Sequence, residues 1–312
     1  MPYQSNNPAT GNLLKTFPEM TDAQLEAKMA GAAAYFAVWR HKTYAERTKI
    51  AARAGQNLKP SSLEPGGSDA FIALEDADLD TALHWAIWGR MYDDGQTCVA
   101  AKRFIVVEAL ADKFLAGFRA ALVALKPGDP LDEATTLGPL STEAALVQLL
   151  KQVDGAVANG AQLKLGGKRI VRAGSDMEPS IQTGVTPDNP AFRREFFGPV
   201  ALFFRVNDAE AAIVLANDSD FGLGGSVFTR DIACGKRVAS RIATGMMFVN
   251  NLDWADADLP IGGVKTSGYG RELSDMGIQQ FANRKLVRIS GAEAPAIGAA
   301  PPRMSEKIGE TA

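Results

Sequence analysis

Phe104-Ile105-Val106-Val107 is a short, largely β-branched run, and Phe114, Leu115, Phe118, Leu122 and Leu125 follow it at helical spacing. A strand that leads into an amphipathic helix is the unit from which parallel sheets are built, because parallel strands need a long crossover between them. The same alternation extends outward. Upstream, Asp76 is placed to cap a helix carrying Leu79, Leu83 and Ile87. Downstream, strand-like runs at 200–206, 226–228 and 246–249 are separated by helical patterns at 208–216 and 231–243. The expected class is α/β with a largely parallel sheet.

The N-terminal part reads differently. Thr21 with Gln24 three residues on is a capping box. Leu25, Met29, Ala32, Phe36 and Trp39 then form one apolar stripe. A second helix is expected over residues 44–54, with Gly55 as its C′ residue. From Gly291 the chain turns to alanine, proline and charge without periodicity, which predicts a disordered tail.

Composition narrows the function classes. Among 312 residues, 46% are hydrophobic and 22% charged, as in ordinary globular proteins. The 33 Lys and Arg against 36 Asp and Glu leave a net charge of −3, so nothing electrostatic points to a nucleic-acid or membrane-surface partner. No apolar run is long enough to span a bilayer, and two cysteines make no disulfide framework. A cytoplasmic location is the expectation. No metal is expected, since His41 and His84 lie far apart and neither cysteine has a partner at ligand spacing. No G-x-S-x-G elbow supports a serine hydrolase.

Cys98 lies in Asp94-Gly95-Gln96-Thr97-Cys98-Val99-Ala100-Ala101-Lys102-Arg103, a polar, glycine-bearing loop before the first quoted strand. On spacing alone it reads as a small buried hydrophobe or as a nucleophile. Cys234 falls on the apolar face of a helix, so Cys98 is expected to be the more reactive thiol.

Gly95-Gln96-Thr97-Cys98 matches the G-Q-x-C motif around the nucleophile of aldehyde dehydrogenases. Leu63-Glu64-Pro65-Gly66-Gly67 resembles that family's L-E-L-G-G segment, Glu195-Phe196-Phe197-Gly198-Pro199 its E-x-F-G-P motif, and residues 260–268 its P-F-G-G-x-K-x-S-G. The four occur in family order, and the wording around Cys98 leans toward the succinate-semialdehyde branch. The resemblance implies oxidation of an aldehyde to the acid with NAD or NADP. Cys98 would form the thioester, Glu64 would act as general base, and Glu195 and Phe197 would hold the nicotinamide end of the cofactor. Asn250 occupies a family position near the site, where a structural role is expected.

The chain departs from the family in one long segment. The N-terminal helices, with Trp39-Arg40 and Glu46-Arg47, resemble the family's early helices, yet by residues 55–60 the chain already approaches the glutamate motif. The parts join near Ile50-Ala51. That omits the P-W-N motif that helps form the oxyanion hole and the turn that meets the cofactor phosphates. The expected organisation is residues 1–60 as a helical remnant of the cofactor domain and 61–274 as the catalytic domain. Residues 275–291 would form a C-terminal helix and oligomerisation strand, and 292–312 the tail. Two alternatives accompany dehydrogenase activity: an internally deleted, inactive remnant, and a thiol esterase using Cys98 and Glu64. Faces built to be covered imply self-association or a homo-oligomer. Two local changes bear on the chemistry. Pro65 replaces leucine and removes a backbone donor. Asp93 replaces asparagine and, with Asp94, is expected to raise the Cys98 pKa.

Overall fold

The computed structural model describes residues 3–6, 13–17, 20–39, 52–172, 174–252 and 255–287, and it divides into two compact units, Met1–Ser61 and Ser62–Ala312. In the first unit β1 (Tyr3–Asn6) pairs antiparallel with β2 (Leu13–Phe17), and α1 (Asp22–Trp39) follows. The capping box is made: the Thr21 N–H donates to Gln24 Oε1 at 3.0 Å and the Gln24 N–H to Thr21 Oγ1 at 3.3 Å. Leu25 and Met29 of the predicted apolar stripe are exposed. The second predicted helix is described only from residue 52, and it continues through Gly55. It closes at Leu58, with a left-handed φ of 52°, where Lys59 N–H bonds Ala54 O and Leu58 N–H bonds Gly55 O. That pair of bonds makes Leu58, not Gly55, the C′ residue, because the helical bonding runs three residues past the glycine. The expected junction near Ile50-Ala51, residues 288–290 of the predicted C-terminal strand and the predicted tail lie outside the described residues.

The second unit is built on a seven-stranded sheet. Its strands are β3 (Asp69–Ala73), β4 (Ala101–Val107), β5 (Gln162–Leu165), β6 (Ser180–Thr183), β7 (Val200–Val206), β9 (Gly225–Phe228) and β10 (Phe248–Val249), and their order is β10-β9-β3-β4-β7-β6-β5. Every pairing is parallel except β5 with β6. A short β8 (Phe221–Gly222) pairs with β11 (Val264–Lys265) beside it. The helices are α2 (Leu79–Met91), α3 (Glu108–Val123), α4 (Glu143–Ala158), α5 (Ala209–Asn217), α6 (Ile232–Ala239) and α7 (Ser274–Gln280).

Successive strand residues point to opposite faces, and both faces are covered. Phe71, Phe104 and Phe203 pack with Phe114 and Phe118 of α3 on one side. Ile72, Ile105 and Leu202 pack with Leu149 and Val153 of α4 and Ile213 of α5 on the other. All seven residues of β4 are therefore buried, and the strand reads as one continuous run rather than an alternation. The α/β expectation with a largely parallel sheet holds. Asp76 does not cap α2. Asp78 does, accepting from Thr81 N–H at 3.0 Å, because it is the residue next to the first helical turn. Asp76 instead reaches across to the β9–α6 turn and accepts from Thr229 Oγ1 and the N–H groups of Arg230 and Asp231. The strand predicted over 246–249 shrinks to Phe248–Val249, and the helix predicted over 231–243 ends at Ala239. No helix among the described residues is long and apolar enough to cross a membrane.

Candidate active site

Because β3, β4, β7 and β9 run parallel and side by side, the segments entering them arrive at one edge of the sheet. Residues 64–68 enter β3, 97–100 enter β4, 195–199 enter β7 and 223–224 enter β9. Three of the four family-like motifs converge there, and the fourth folds onto the first. The Gly67 N–H donates to Glu195 Oε1 at 3.2 Å. Gly67 also lies against the backbone of Cys98: a Cβ on it would sit 2.5 Å from the Cys98 carbonyl oxygen, so only glycine admits this approach.

Glu64 is held by a backbone pair between Leu63 and Tyr269, with N–H···O distances of 3.0 and 3.1 Å. Gly268, at φ 110°, makes this pair possible, since a Cβ there would fall 1.7 Å from Leu63 O. The 260–272 segment is thereby laid beside the Glu64 carboxyl. One oxygen of that carboxyl is buried without a hydrogen-bond partner. Burial raises the Glu64 pKa, the Glu272 carboxylate raises it further, and Arg271 opposes both. An acid so placed keeps its proton to higher pH than an ordinary glutamate.

Cys98 occupies a turn just before β4 and is half-buried. Burial pushes its thiol pKa up; Lys102 pulls it down, and Asp69 and Glu64 add to the rise. The expected direction holds, but the responsible carboxylates differ. Asp93 and Asp94 belong to a 3-10 turn, Tyr92–Gly95, in which both take a left-handed φ, and Asp94 Oδ1 accepts from the Gly138 N–H at 2.7 Å. Asp69, at the start of β3, and Glu64 are the carboxylates that act on Cys98. The coupling of Glu64 to Cys98 places the two predicted catalytic residues in one electrostatic neighbourhood.

Glu195 is mostly buried and pairs with Lys102 Nζ at 3.1 Å. It also lines a cleft of about 600 Å³ with Gln152, Asn189, Arg193, Arg194 and Phe221. Phe197 is 46% exposed, with Lys102 Nζ 6.0 Å from its ring centroid. Sequence reasoning assigned no role to Lys102, Asp69 or Glu272. The available signal was a pair of cations, Lys102 and Arg103, inside a strand buried on both faces, where charge is costly unless paired. Arg103 is paired by carbonyls, donating to Ser68 O, Leu215 O and Ala216 O.

Asn250, at φ 55°, clamps the backbone of Thr229, accepting from its N–H at 2.9 Å and donating to its carbonyl at 2.8 Å. Cys234 sits in the first turn of α6, half-buried against the core. His84 is exposed on α2, edge-on to Trp85.

The profile of the aldehyde dehydrogenase family matches residues 48–287. The chain is 48% identical over 239 residues to the succinate-semialdehyde dehydrogenase (NADP+) of Deinococcus radiodurans, a match covering 77% of this chain and 50% of the relative. It is 47% identical over 238 residues to the succinate semialdehyde dehydrogenase (NAD(P)+) of Escherichia coli, covering 76% and 52%. The crystal structure of the succinic semialdehyde dehydrogenase of Streptococcus pyogenes, in complex with NADP+, superposes with a TM-score of 0.76 at 43% identity over 79% of this chain and 54% of that one. The chain thus spans about half the length of the relatives it matches. With three of its four motifs gathered at one sheet edge and its profile match covering most of its length, the chain belongs to the aldehyde dehydrogenase family.

Proposed function

We propose that this chain carries the covalent half of an aldehyde dehydrogenase site, in which Cys98 takes up the substrate carbonyl and Glu64 activates the water that releases the acid. The observation that supports this reading is the close approach of the two segments: Gly67, three residues after Glu64, lies against the Cys98 turn, where a Cβ on it would fall 2.5 Å from the Cys98 carbonyl oxygen. Cys98 Sγ, once deprotonated, adds to an aldehyde carbonyl carbon and forms a thiohemiacetal. A bound NAD or NADP would supply the acceptor for the hydride lost in forming the thioester, and Glu195 and Phe197 are the residues here that would face its ribose and nicotinamide. Water then attacks the thioester carbonyl, Glu64 takes the proton, the carbon–sulfur bond breaks, and the carboxylic acid leaves with Cys98 restored. The similarity to succinate-semialdehyde dehydrogenases supports a short aldehyde acid as substrate. Glu195 suits the ribose end, since it borders the open cleft, but its carboxylate is already engaged by Lys102 and Gly67. That engagement, with the junction near Ile50-Ala51, favours the second reading, an internally deleted chain that does not complete the cycle.

The Cys98–Glu64 assignment is tested with an activated ester, which acylates the thiol without a cofactor. The wild-type chain is expected to release alcohol in a burst of about one equivalent and then turn over slowly, faster as pH rises through the elevated Glu64 range. Glu64→Gln should keep the burst and lower the steady rate about 100-fold, at the low end for a lost general base. An unchanged steady rate removes Glu64 from the role.

We also infer self-association through the C-terminal segment that begins at residue 275. Met276, Ile278 and Phe281 on and after α7 are 52%, 77% and 62% exposed. These three apolar side chains are left to solvent within one six-residue stretch, and exposed apolar surface drives association. Sedimentation is expected to show species heavier than a monomer that dissociate on dilution; a sharp monomer at every concentration would refute it.

A further inference from the structure

Lys102 Nζ is enclosed, with its side chain 1% exposed. Its ammonium donates to the carbonyls of Thr97 at 2.9 Å, Cys98 at 2.9 Å and Ala100 at 3.3 Å, and contacts Glu195 Oε1 at 3.1 Å. Three protons therefore serve four oxygens, and three of those oxygens belong to the turn that presents Cys98. A buried cation retained in a strand normally needs such compensation, since its desolvation is costly. The partners chosen here wrap the nucleophile's own loop. We propose that Lys102 is a positioning residue for Cys98: its buried ammonium gathers the carbonyls of residues 97, 98 and 100 around one point and ties that loop to Glu195.

Two consequences follow. The loop that carries the thiol and the carboxylate that borders the cleft share one cation, so a displacement of Glu195 is felt at Cys98. Lys102 is also the cation whose charge favours the Cys98 thiolate, against Asp69 and Glu64, which disfavour it. The groups facing Lys102 are Glu195 and Asp69, which hold its proton, and Arg90, which with burial opposes it. Arg90 is itself fully buried and spends one guanidinium nitrogen on Gly95 O at 2.7 Å, at the other end of the same loop. Cations thus brace the turn from both sides, and Lys102 is the one that reaches the carbonyl of the nucleophile.

The inference rests on Cys98 being the reacting thiol, but its test reads thiol acidity and not turnover, so a chain without dehydrogenase activity still answers it. In a Cys234→Ser background, the rate of iodoacetamide alkylation at Cys98 is followed from neutral to alkaline pH. Lys102→Met should move the profile to higher pH, lowering the rate on its rising limb about tenfold while leaving the alkaline plateau in place. Lys102→Arg, which keeps a cation among the carbonyls, should restore most of the shift. Lys102→Gln, which keeps two donors but no charge, should behave as Lys102→Met and serves where the methionine variant fails to fold. An unmoved midpoint would overturn the proposal, as would a plateau that falls at every pH without a shift of midpoint, because packing alone produces that. If neither neutral variant folds, Lys102 is structural only and the proposal is equally overturned.

Discussion

Titration of the purified chain with NAD or NADP is expected to give no dissociation constant in the micromolar range, and an aldehyde added with either dinucleotide should leave the reduced-cofactor absorbance flat. The residues assigned to the cofactor by resemblance, Glu195 and Phe197, would address only its nicotinamide end. Glu195 is moreover held by Lys102 at 3.1 Å and by the Gly67 N–H at 3.2 Å. The phosphates of a dinucleotide need backbone N–H groups at a helix N-terminus, and the proposed deletion near Ile50-Ala51 would remove the segment expected to supply that turn. Charge-assisted hydrogen bonds contribute about 1.5–3 kcal/mol each, and every 1.4 kcal/mol or so is tenfold in affinity, so losing several weakens binding by orders of magnitude. If the same proposed deletion also removes an oxyanion donor, that costs a further factor of about 100 to 1,000 in rate. Micromolar binding together with a rise in absorbance would show that the junction leaves a working cofactor site.

Phe71→Ala is expected to lower the unfolding free energy by about 3–5 kcal/mol, the usual range for emptying a fully buried aromatic site. Phe71 is fully buried on β3, in the middle of the parallel sheet. Its ring stacks on Phe228 at 4.4 Å and lies 5.2 Å from Phe104 and 5.9 Å from Phe114. A whole domain has only about 5–15 kcal/mol to lose, so the variant should approach the limit of folding. Val214→Ala, on the exposed face of α5 at 70% exposure, is the control and should stay within about 0.5 kcal/mol. Urea unfolding of both decides it: a Phe71→Ala loss below about 1 kcal/mol would mean that the ring cluster refills its own cavity.

Much of the fold was legible because its signals are local. The capping box at Thr21 and Gln24 formed as written, and β7 begins and ends where its apolar run does. The misses have physical reasons too. Asp76 and Asp78 are both acidic and two residues apart. Which one caps α2 depends on Thr229 and the β9–α6 turn, some 150 residues away, which take Asp76 for themselves. Helix α4 was missed although Leu146, Leu149 and Val153 mark its buried face, and its Thr142 cap bonds the Ala145 N–H.

The candidate site divides in the same way. By itself the sequence determined which residue types are present, in what order, and around which cysteine: Glu64, Cys98, Glu195 and Phe197 are all read from short contiguous motifs. It also determined the α/β class, because strand-then-helix alternation leaves few other ways to bury both periodicities. Only the tertiary structure decided that these motifs share one edge, since that follows from β3, β4, β7 and β9 lying parallel and adjacent. It alone decided which charges act on the thiol. Asp93 and Asp94 are nearest along the chain, yet Asp69, Glu64 and Lys102 are the ones that act, because electrostatic coupling follows distance through the folded interior and not separation along the backbone.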